Sequence, residues 1–597
     1  MRSPAGPESG NFSSTTRICH VAVLGIDVGG TFTDAVLLAG GELRTAKVPT
    51  AADQAESVLA AAAAVGADEV ERFTHGTTVA TNALLERKGA RTAFVATAGF
   101  EHLLHLRRQN RAHLYRLCSH HPEPLVPLER CYGVEERIGP DGVLTPLEVG
   151  SLPPIDAEAV AVCLLFAFRD ERHEQAVTAE LRRRLPGARV VASHEVAAEF
   201  REYERASTTV VDAYLGPVVA DYLESLAAAC RRAGLREPLV MRSSGGVATL
   251  VEAAAHPSWA LVSGPAAGVV GAARVARACG HDRAISFDMG GTSTDVCLLA
   301  DGVERTFERD VGGFPVRLPS VDVHTVGAGG GSIIWRDEGG ALRVGPESAG
   351  ADPGPACYGR GGTKPTVTDA NLLLGRLPAR LAGGLELDRA AAEHALVGID
   401  PADAVAAVNA EMLRAIRVVS VERGHDPREF ALDAFGGAGP LHACELADEL
   451  GIETVLVPDA AGVLSALGLV LSDERRDHVR TYVCPLEAAG ELPAEGEADL
   501  RYAGQSFELT VPLGPELAGR FHRAHAERYG YADRERGLEL VAVRTANIVP
   551  GPAVELPAGP PVEARGSAVV ELAGSTTWLP PGWVGVRDGP TLRVAKA

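Results

Sequence analysis

The 597-residue chain has no run of 18 uninterrupted apolar residues, so the sequence predicts no transmembrane helix. It has no excess of positive charge. Lys and Arg number 57 against 78 Asp and Glu, a formal net charge of −21. That balance argues against nonspecific binding to nucleic acid or an anionic membrane, because phosphate contacts need a basic face. The ten cysteines are scattered without a C-x-x-C pair, and several lie in apolar runs, such as Cys163 in A-V-C-L-L-F. There a reduced thiol behaves as a small hydrophobe, which points to a reducing, cytoplasmic setting. Met1–Thr16 lacks the basic-then-apolar order of a signal peptide, and 1–20 reads as a flexible tail. No G-x-x-x-x-G-K-[ST] occurs, which excludes a P-loop.

What the chain has instead is a duplication. G-I-D-V-G-G-T-F-T-D-A-V-L-L-A from Gly25 to Ala39 returns 261 residues later as S-F-D-M-G-G-T-S-T-D-V-C-L-L-A from Ser286 to Ala300. Each copy reads as an apolar strand ending in Asp, a Gly-Gly turn, a Thr-x-Thr-Asp step and a second apolar strand. Gly29, Gly30, Gly290 and Gly291 let a backbone approach a ligand closely. Thr31, Thr33, Thr292 and Thr294 can donate to phosphate oxygens. Asp27 and Asp288 can hold Mg²⁺, through water because that ion dehydrates reluctantly, with Asp34 and Asp295 supporting the two turns. Two such hairpins facing each other would clasp an ATP polyphosphate from both sides.

The length exceeds what one core can fill, and strands alternate with helices from Val21 onward, which indicates an α/β layer. The expected division is a first lobe over 21–205, a second over 206–477 and a separate, mainly β domain over 478–597. A long helical stretch from Arg201 to Ala229, broken at Gly216-Pro217, links the lobes. From Val326 to Leu377 the chain is dense in Gly and Pro, a pattern more common in functional loops than in spacers. A Gly-rich strand-to-helix turn follows later, in which Gly436, Gly437 and Gly439 could let adenosine lie against bare backbone.

This order, phosphate hairpin, phosphate hairpin, adenosine turn, resembles the actin-like ATPase superfamily, whose two ribonuclease H-like lobes close over ATP. Within it the match narrows. H-G-T-T-V-A-T-N-A-L-L-E-R-K-G at 75–89, R-E-Y-E-R-A-S-T-T-V-V-D-A-Y-L at 201–215, G-A-D-P-G-P-A-C-Y-G-R-G-G-T-K-P-T-V-T-D-A-N at 350–371 and F-G-G-A-G-P-L-H-A at 435–443 resemble the A-type chain of the hydantoinase/oxoprolinase family. The resemblance runs from about Val21 to the C-terminus. It implies ATP-driven opening of a cyclic amide (a hydantoin, 5-oxoproline or another lactam) or, in an acetone carboxylase-like branch, ATP-driven activation for carboxylation. It also implies a separate B-type subunit, hence a hetero-oligomer, with no nucleic acid or membrane partner. A chaperone-like or small-molecule kinase role is a weaker alternative.

At the substrate end of the cleft the candidates are His75, Thr77, Thr78, Asp352 and Asp369, with Asp27, Asp288, His75, Asp352 and Asp369 as the catalytic set. An ion pair between Glu202 and Arg205 at the hinge is a further possibility to test. Two features depart from the family pattern. The stretch 102–121 carries His102, His105, Cys118, His120 and His121, a conceivable zinc site, though a solvated His-rich loop suits it better. The segment between Pro550 and Gly566 looks shortened, which bears on how a partner docks.

Overall fold

Each Asp-Gly-Gly segment closes an antiparallel hairpin whose first strand is central to its own sheet. In the computed structural model, which describes residues 22–116, 118–300, 302–381 and 385–597, the first hairpin comprises β1 (Val23–Val28) and β2 (Phe32–Ala39). The expected tail over 1–20 lies outside the described residues. β3 (Glu42–Pro49) continues the meander, and β4 (Arg72–Gly76) lies parallel on the other side of β1. β5 (Leu239–Met241) adds parallel to β4, and β6 (Val247–Ala248) closes that edge. The second sheet repeats the plan with β7 (Ala284–Met289), β8 (Thr294–Leu299), β9 (His324–Val326), β10 (Ala431–Phe435) and β11 (Thr454–Pro458). Its order, β9-β8-β7-β10-β11, matches β3-β2-β1-β4-β5 of the first. The chain is thus a two-lobed actin-like, ribonuclease H-like α/β protein.

The sequence explains why β1 and β7 are central. Their apolar residues face helices on both sides and are fully buried, as parallel neighbours require. Five helices frame the lobes and the cleft: α1 (Glu202–Arg232), α2 (Ser263–Ala278), α3 (Val367–Leu373), α4 (Gly439–Leu450) and α5 (Leu464–Leu471). Between β4 and α1 an inserted parallel sheet carries Thr92–Thr97, Cys131–Val134, Ala159–Cys163 and Arg189–Ala192. Buried residues line nearly every side of α1 from Tyr203 to Gly216, between that insertion and the first lobe.

Where the lobes meet, α2 crosses α5 at backbone-to-backbone distance. A Cβ added to Gly468 would stand 1.9 Å from the carbonyl oxygen of Ala267, and one on Gly271 2.9 Å from that of Leu464. Gly25 in β1 brings the first sheet equally close, 2.2 Å from the Ala466 oxygen. These three glycines let the two lobes share one buried joint.

Several expectations need correction. β5 and β6 fall in the stretch assigned to the second lobe beyond 205, yet pair with the first sheet, so the sheets do not divide at that point. The 478–597 region is not one separate domain. Glu474–Pro485, Glu497–Tyr502, Leu509–Pro512 and Leu538–Val549 form an antiparallel sheet under helix Leu517–Tyr529. Glu563–Arg565, Trp583–Asp588 and Thr591–Lys596 instead extend the second lobe, Thr591–Lys596 pairing antiparallel with β11 and covering its free edge. α1 runs unbroken through Gly216-Pro217, because Gly216 leaves room for the Arg189 side chain beside it and flanking burial holds the helix. Glu202 and Arg205 do not pair. Glu202 meets Arg108, while Arg205 is buried and donates to the Leu164 carbonyl. Among the described residues no helix is long and apolar enough to cross a membrane.

The joint can be tested by Gly468→Ala, for which overpacking predicts a loss of ~1–3 kcal/mol in unfolding free energy by urea titration. Gly437→Ala, at a position with open space around it, serves as the control. Equal stability of both variants would show that the close crossing is not needed.

Candidate active site

Asp27 and Asp288 stand at the same place in their hairpins, each at the penultimate position of a central strand and in register with Asp34 and Asp295 respectively. Each is cradled by a glycine from the neighbouring parallel strand. A Cβ on Gly76 would lie 2.3 Å from Asp27 Oδ1, and one on Gly436 would lie 2.3 Å from Asp288 Oδ1. The start of α2 abuts the first carboxylate as well, with the Cβ direction of Gly264 reaching 3.7 Å from Asp27 Oδ2. That places the positive end of a 16-residue helix beside it.

The two lobes share one electrostatic site. Burial pushes the Asp27 carboxyl up to about 7, with Asp34 adding repulsion and Lys47 opposing it. Burial pushes Asp288 up to about 8, reinforced by Asp295, Asp27 and Asp34, with Lys47 again opposing. Asp34 and Asp295 are also raised by burial. Their supports differ. Lys47 pairs with Asp34 at 2.5 Å, whereas Thr325 donates to Asp295 at 2.5 Å from the equivalent strand.

Four carboxylates against Lys47, with Arg309 acting on Asp295 alone, make a poor anion site until a cation enters. Asp27 Oδ1 is buried with no hydrogen-bond partner, which leaves that carboxylate without the protein donors that would satisfy its charge. Among the described residues no group of three or more His, Cys, Asp or Glu is disposed to hold a metal unaided. Mg²⁺ does not ask for such a cage, being held by one or two carboxylates together with water and phosphate oxygens. Asp27 and Asp288 therefore fit Mg²⁺, which would neutralise phosphate charge there. The same finding removes support for a zinc site in 102–121, where His121 Nε2 instead meets the Asn110 carbonyl and Cys118 is exposed.

The hairpin tips are open and alike. Gly29 N donates to Phe32 O and Gly290 N to Ser293 O, both at 3.0 Å, fixing two matching turns. Gly30, Thr31, Gly291 and Thr292 are exposed at these tips, and nothing lies within 4 Å of a Cβ added at Gly30 or Gly291. Behind each tip stands a brace. Thr50 Oγ1 donates to Gly29 O and touches Thr33 Oγ1; Gly330 N and Gly331 N donate to Gly290 O and Gly291 O. The Gly-Pro-rich segment is thus the buttress of the second hairpin, and Gly329 must lack a side chain because one would stand 2.6 Å from Thr292 N.

Several candidates prove to be struts rather than ligand contacts. Thr33 and Thr294 are buried; Thr294 donates to Ala328 O, so neither is presented to a phosphate. His75 has no exposure, with Nδ1 on the Ile26 carbonyl and Nε2 on the Tyr222 hydroxyl, and burial holds it down to about 4. A neutral, fully engaged imidazole cannot serve as the base at the substrate end. Thr77 is buried, with its carbonyl accepting from Ser263 Oγ, and Thr78 begins the next helix. Asp369 is buried in the capping box of α3, accepting from the backbone of Thr366, Ala356 and Cys357. It ties the Gly-Pro loop to its helix. Asp352 is exposed on that loop, just beyond Gly350, which lies beside Gly331 and the second tip. Of the adenosine glycines, Gly436 makes room for Asp288, Gly437 is open, and Gly439 is buried against Phe287. Gly437 alone of the three offers a bare surface.

Lys47 escapes a motif search because it lies outside the duplicated segment. Its signal is register: counting back from Asp34 through the Gly40-Gly41 turn places Lys47 directly opposite. The start of α2 is hidden because S-G-P reads equally well as ordinary close packing.

Known proteins share this geometry. Residues 205–478 match the model for hydantoinase/oxoprolinase, and residues 23–185 match that for the hydantoinase/oxoprolinase N-terminal region. The chain is 36% identical to the caprolactamase subunit alpha of Pseudomonas jessenii, over 87% of this chain and 85% of that protein. This chain belongs to the hydantoinase/oxoprolinase family. It is also 31% identical to 5-oxoprolinase 1 of Arabidopsis thaliana, across 85% of this chain and 45% of that longer protein. Among solved structures it is similar to the ATP-dependent caprolactamase from Pseudomonas jessenii, with a TM-score of 0.85 and 31% identity over 96% of this chain and all of that one. Nucleotide-free acetone carboxylase shares the fold, at a TM-score of 0.76 and 22% identity over 97% of this chain and all of that one.

Ionising the paired carboxyls without a cation beside them costs stability. Native pKa values above the unfolded value of 3.8 mean the apo fold loses stability as pH rises from about 4 to about 8. Asp27→Asn and Asp288→Asn should each raise the apo thermal midpoint at pH 8.5 by about 1 °C per kcal/mol relieved, by scanning calorimetry. Each should also weaken Mg-ATP binding by about 100-fold, or ~2.7 kcal/mol, by isothermal titration. Lower midpoints with binding intact would mark the pair as structural.

Proposed function

We propose that this chain is the A-type subunit of an ATP-dependent cyclic amidase, transferring the γ-phosphoryl group of ATP to the carbonyl oxygen of a lactam. The observation that carries the reading is the matched pair of open hairpin tips, each with a glycine-cradled aspartate, converging on one electrostatic site. The family membership and the 36% identity to a caprolactamase alpha subunit support a cyclic amide as substrate. An amide carbonyl is a poor electrophile, and its nitrogen a poor leaving group. Phosphoryl transfer forms an O–P bond at the carbonyl oxygen and breaks the bond to ADP; the nitrogen becomes cationic, its acidified N–H proton passes to water, and an imidate-like phosphate ester remains. Water adds to that carbon, the C–N bond breaks, and hydrolysis of the resulting acyl phosphate releases phosphate and an amino acid.

The residues present suit this division of labour. The carbonyl oxygen already carries its lone pairs, so the transfer demands alignment and charge neutralisation more than a base. The His75 and Asp369 side chains are committed to the protein, which suits a step without a strong base. Thr31, Thr292 and the tip amides would orient the phosphates, Lys47 would offset negative charge, and Gly437 would flank adenosine. The hydration steps are assigned to a B-type partner, in keeping with relatives named as subunits. Similarity to the acetophenone carboxylase gamma subunit of Aromatoleum aromaticum, 35% identical over 77% of this chain and 69% of that protein, favours a carboxylase activation subunit as the second reading.

Product analysis separates the two. Incubation of the chain and a co-expressed B-type subunit with Mg-ATP and caprolactam, 5-oxoproline or hydantoin should yield a ring-opened acid with stoichiometric ADP, and the isolated chain should be nearly inactive. ATP turnover that depends on a ketone and bicarbonate would favour the carboxylase instead. Full ring opening by the isolated chain would remove the partner from the account.

A further inference from the structure

A second cavity, of about 570 Å³, opens where the first lobe, the Arg305–Arg317 segment and the C-terminal sheet meet. None of the cleft residues line it. Its walls carry five arginines and five carboxylates, so it favours neither a simple anion nor a simple cation. Most of these charges neutralise one another. Arg108 pairs with Glu204, Arg201 with Glu508, and Arg544 with Asp499. Arg317 meets Glu308 and Glu508 on the wall and Glu199 behind it.

Two charges are left over. Arg305 spends Nε on the Ser244 carbonyl at 2.9 Å and Nη1 on the Val303 carbonyl at 3.0 Å, and meets no carboxylate among the described residues. Glu497 makes no side-chain hydrogen bond or ion pair among the described residues. Arg305 and Glu497 feel each other's charge yet do not touch. Burial and the nearby Arg475 hold Arg305 down to about 10 against Asp477 and Glu497, while at the exposed Glu497 desolvation and Asp499 push the carboxyl up against Arg544, Arg475 and Arg305. Phe307 and Phe507 supply apolar wall, and the guanidinium of Arg544 lies 4.2 Å over the Phe307 ring.

We propose that this cavity binds a free amino acid as its zwitterion, the carboxylate on Arg305 and the ammonium on Glu497. One leftover cation on the Arg305–Arg317 segment and one leftover anion on the C-terminal sheet match a ligand carrying both charges, and the aromatic wall suits its carbon chain. Bound there, such a ligand would bridge the second-lobe segment and the C-terminal sheet. This binding is independent of the lactam-opening reading, although the product of ring opening would be one such ligand.

Isothermal titration of the full chain tests this with 6-aminohexanoate and L-norleucine, isomers that differ in the separation of their poles, and with hexanoate and hexylamine as single-pole controls. The expected result is saturable binding of at least one zwitterion, at least tenfold tighter than either control and weakened at least tenfold by Glu497→Gln. Glu497 has no partner to lose, so that variant should melt as the wild type does. Arg305→Lys, which keeps the charge but not the forked donor, should weaken binding by a similar factor. Asp288→Asn should leave it unchanged. Absence of saturable binding by both isomers, equal binding of hexanoate, or indifference to Glu497→Gln would overturn the proposal. Loss of binding in Asp288→Asn with Glu497→Gln unaffected would also overturn it, by moving the ligand to the nucleotide cleft.

Discussion

Desolvation of four half-buried carboxylates, reinforced by their mutual repulsion, is the constraint around which the cleft is arranged. β1 and β7 are among the most buried strands of their lobes, yet each carries an aspartate next to its end, where an apolar residue would pack at no electrostatic cost. Gly76 and Gly436 give up side chains to make room for those carboxylates, and Asp34 and Asp295 add charge of the same sign. Burial and repulsion together disfavour the ionised form of these carboxyls. On the proposed function, a divalent cation bridging to phosphate would relieve that penalty, and the packing flaw would serve as a receptor for a metal–nucleotide complex.

Polar groups around the cleft act as struts for this receptor. Thr33 and Thr50 brace one tip, and Thr294 with the Gly327–Ser332 loop braces the other. Asp369 fastens that loop's continuation to α3, and His75 locks β1 to α1 through Ile26 and Tyr222. A buried polar group fully satisfied by fixed partners rigidifies its surroundings, and rigidity is what alignment-driven phosphoryl transfer asks of a site. At the glycine-built crossing of α2 and α5, the same helix that abuts Asp27 also forms the joint between lobes. The joint and the first carboxylate thus share one helix.

The duplication made the double lobe legible, because two copies of strand–turn–strand dictate two sheets of one topology. The aspartates and tip glycines were legible for the same reason. Roles inside the repeat were not. Thr31 and Thr33 look equivalent in a string of letters, but Thr31 sits in the exposed turn before β2 begins at Phe32, whereas Thr33 lies within the strand and is buried. His75 and Asp369 stand in conspicuous motifs whose residues serve folding: a histidine joined to a backbone carbonyl, an aspartate filling a capping box. Lys47 and the start of α2 come from outside the motifs and reach the cleft through register and tertiary packing. The strands at 239–248 and 563–596 cross the expected boundaries because each covers an edge that its nearer neighbours in sequence leave open.

The central claim is that Asp27 and Asp288, from opposite lobes, hold one and the same metal–nucleotide complex. Anomalous diffraction from crystals grown with Mn²⁺ and a non-hydrolysable ATP analogue tests it most directly. The account predicts one manganese peak between the two carboxylates, with the analogue's phosphates lying over both Gly-Gly tips. A peak bound to one carboxylate alone, or phosphates seated away from either tip, would contradict it.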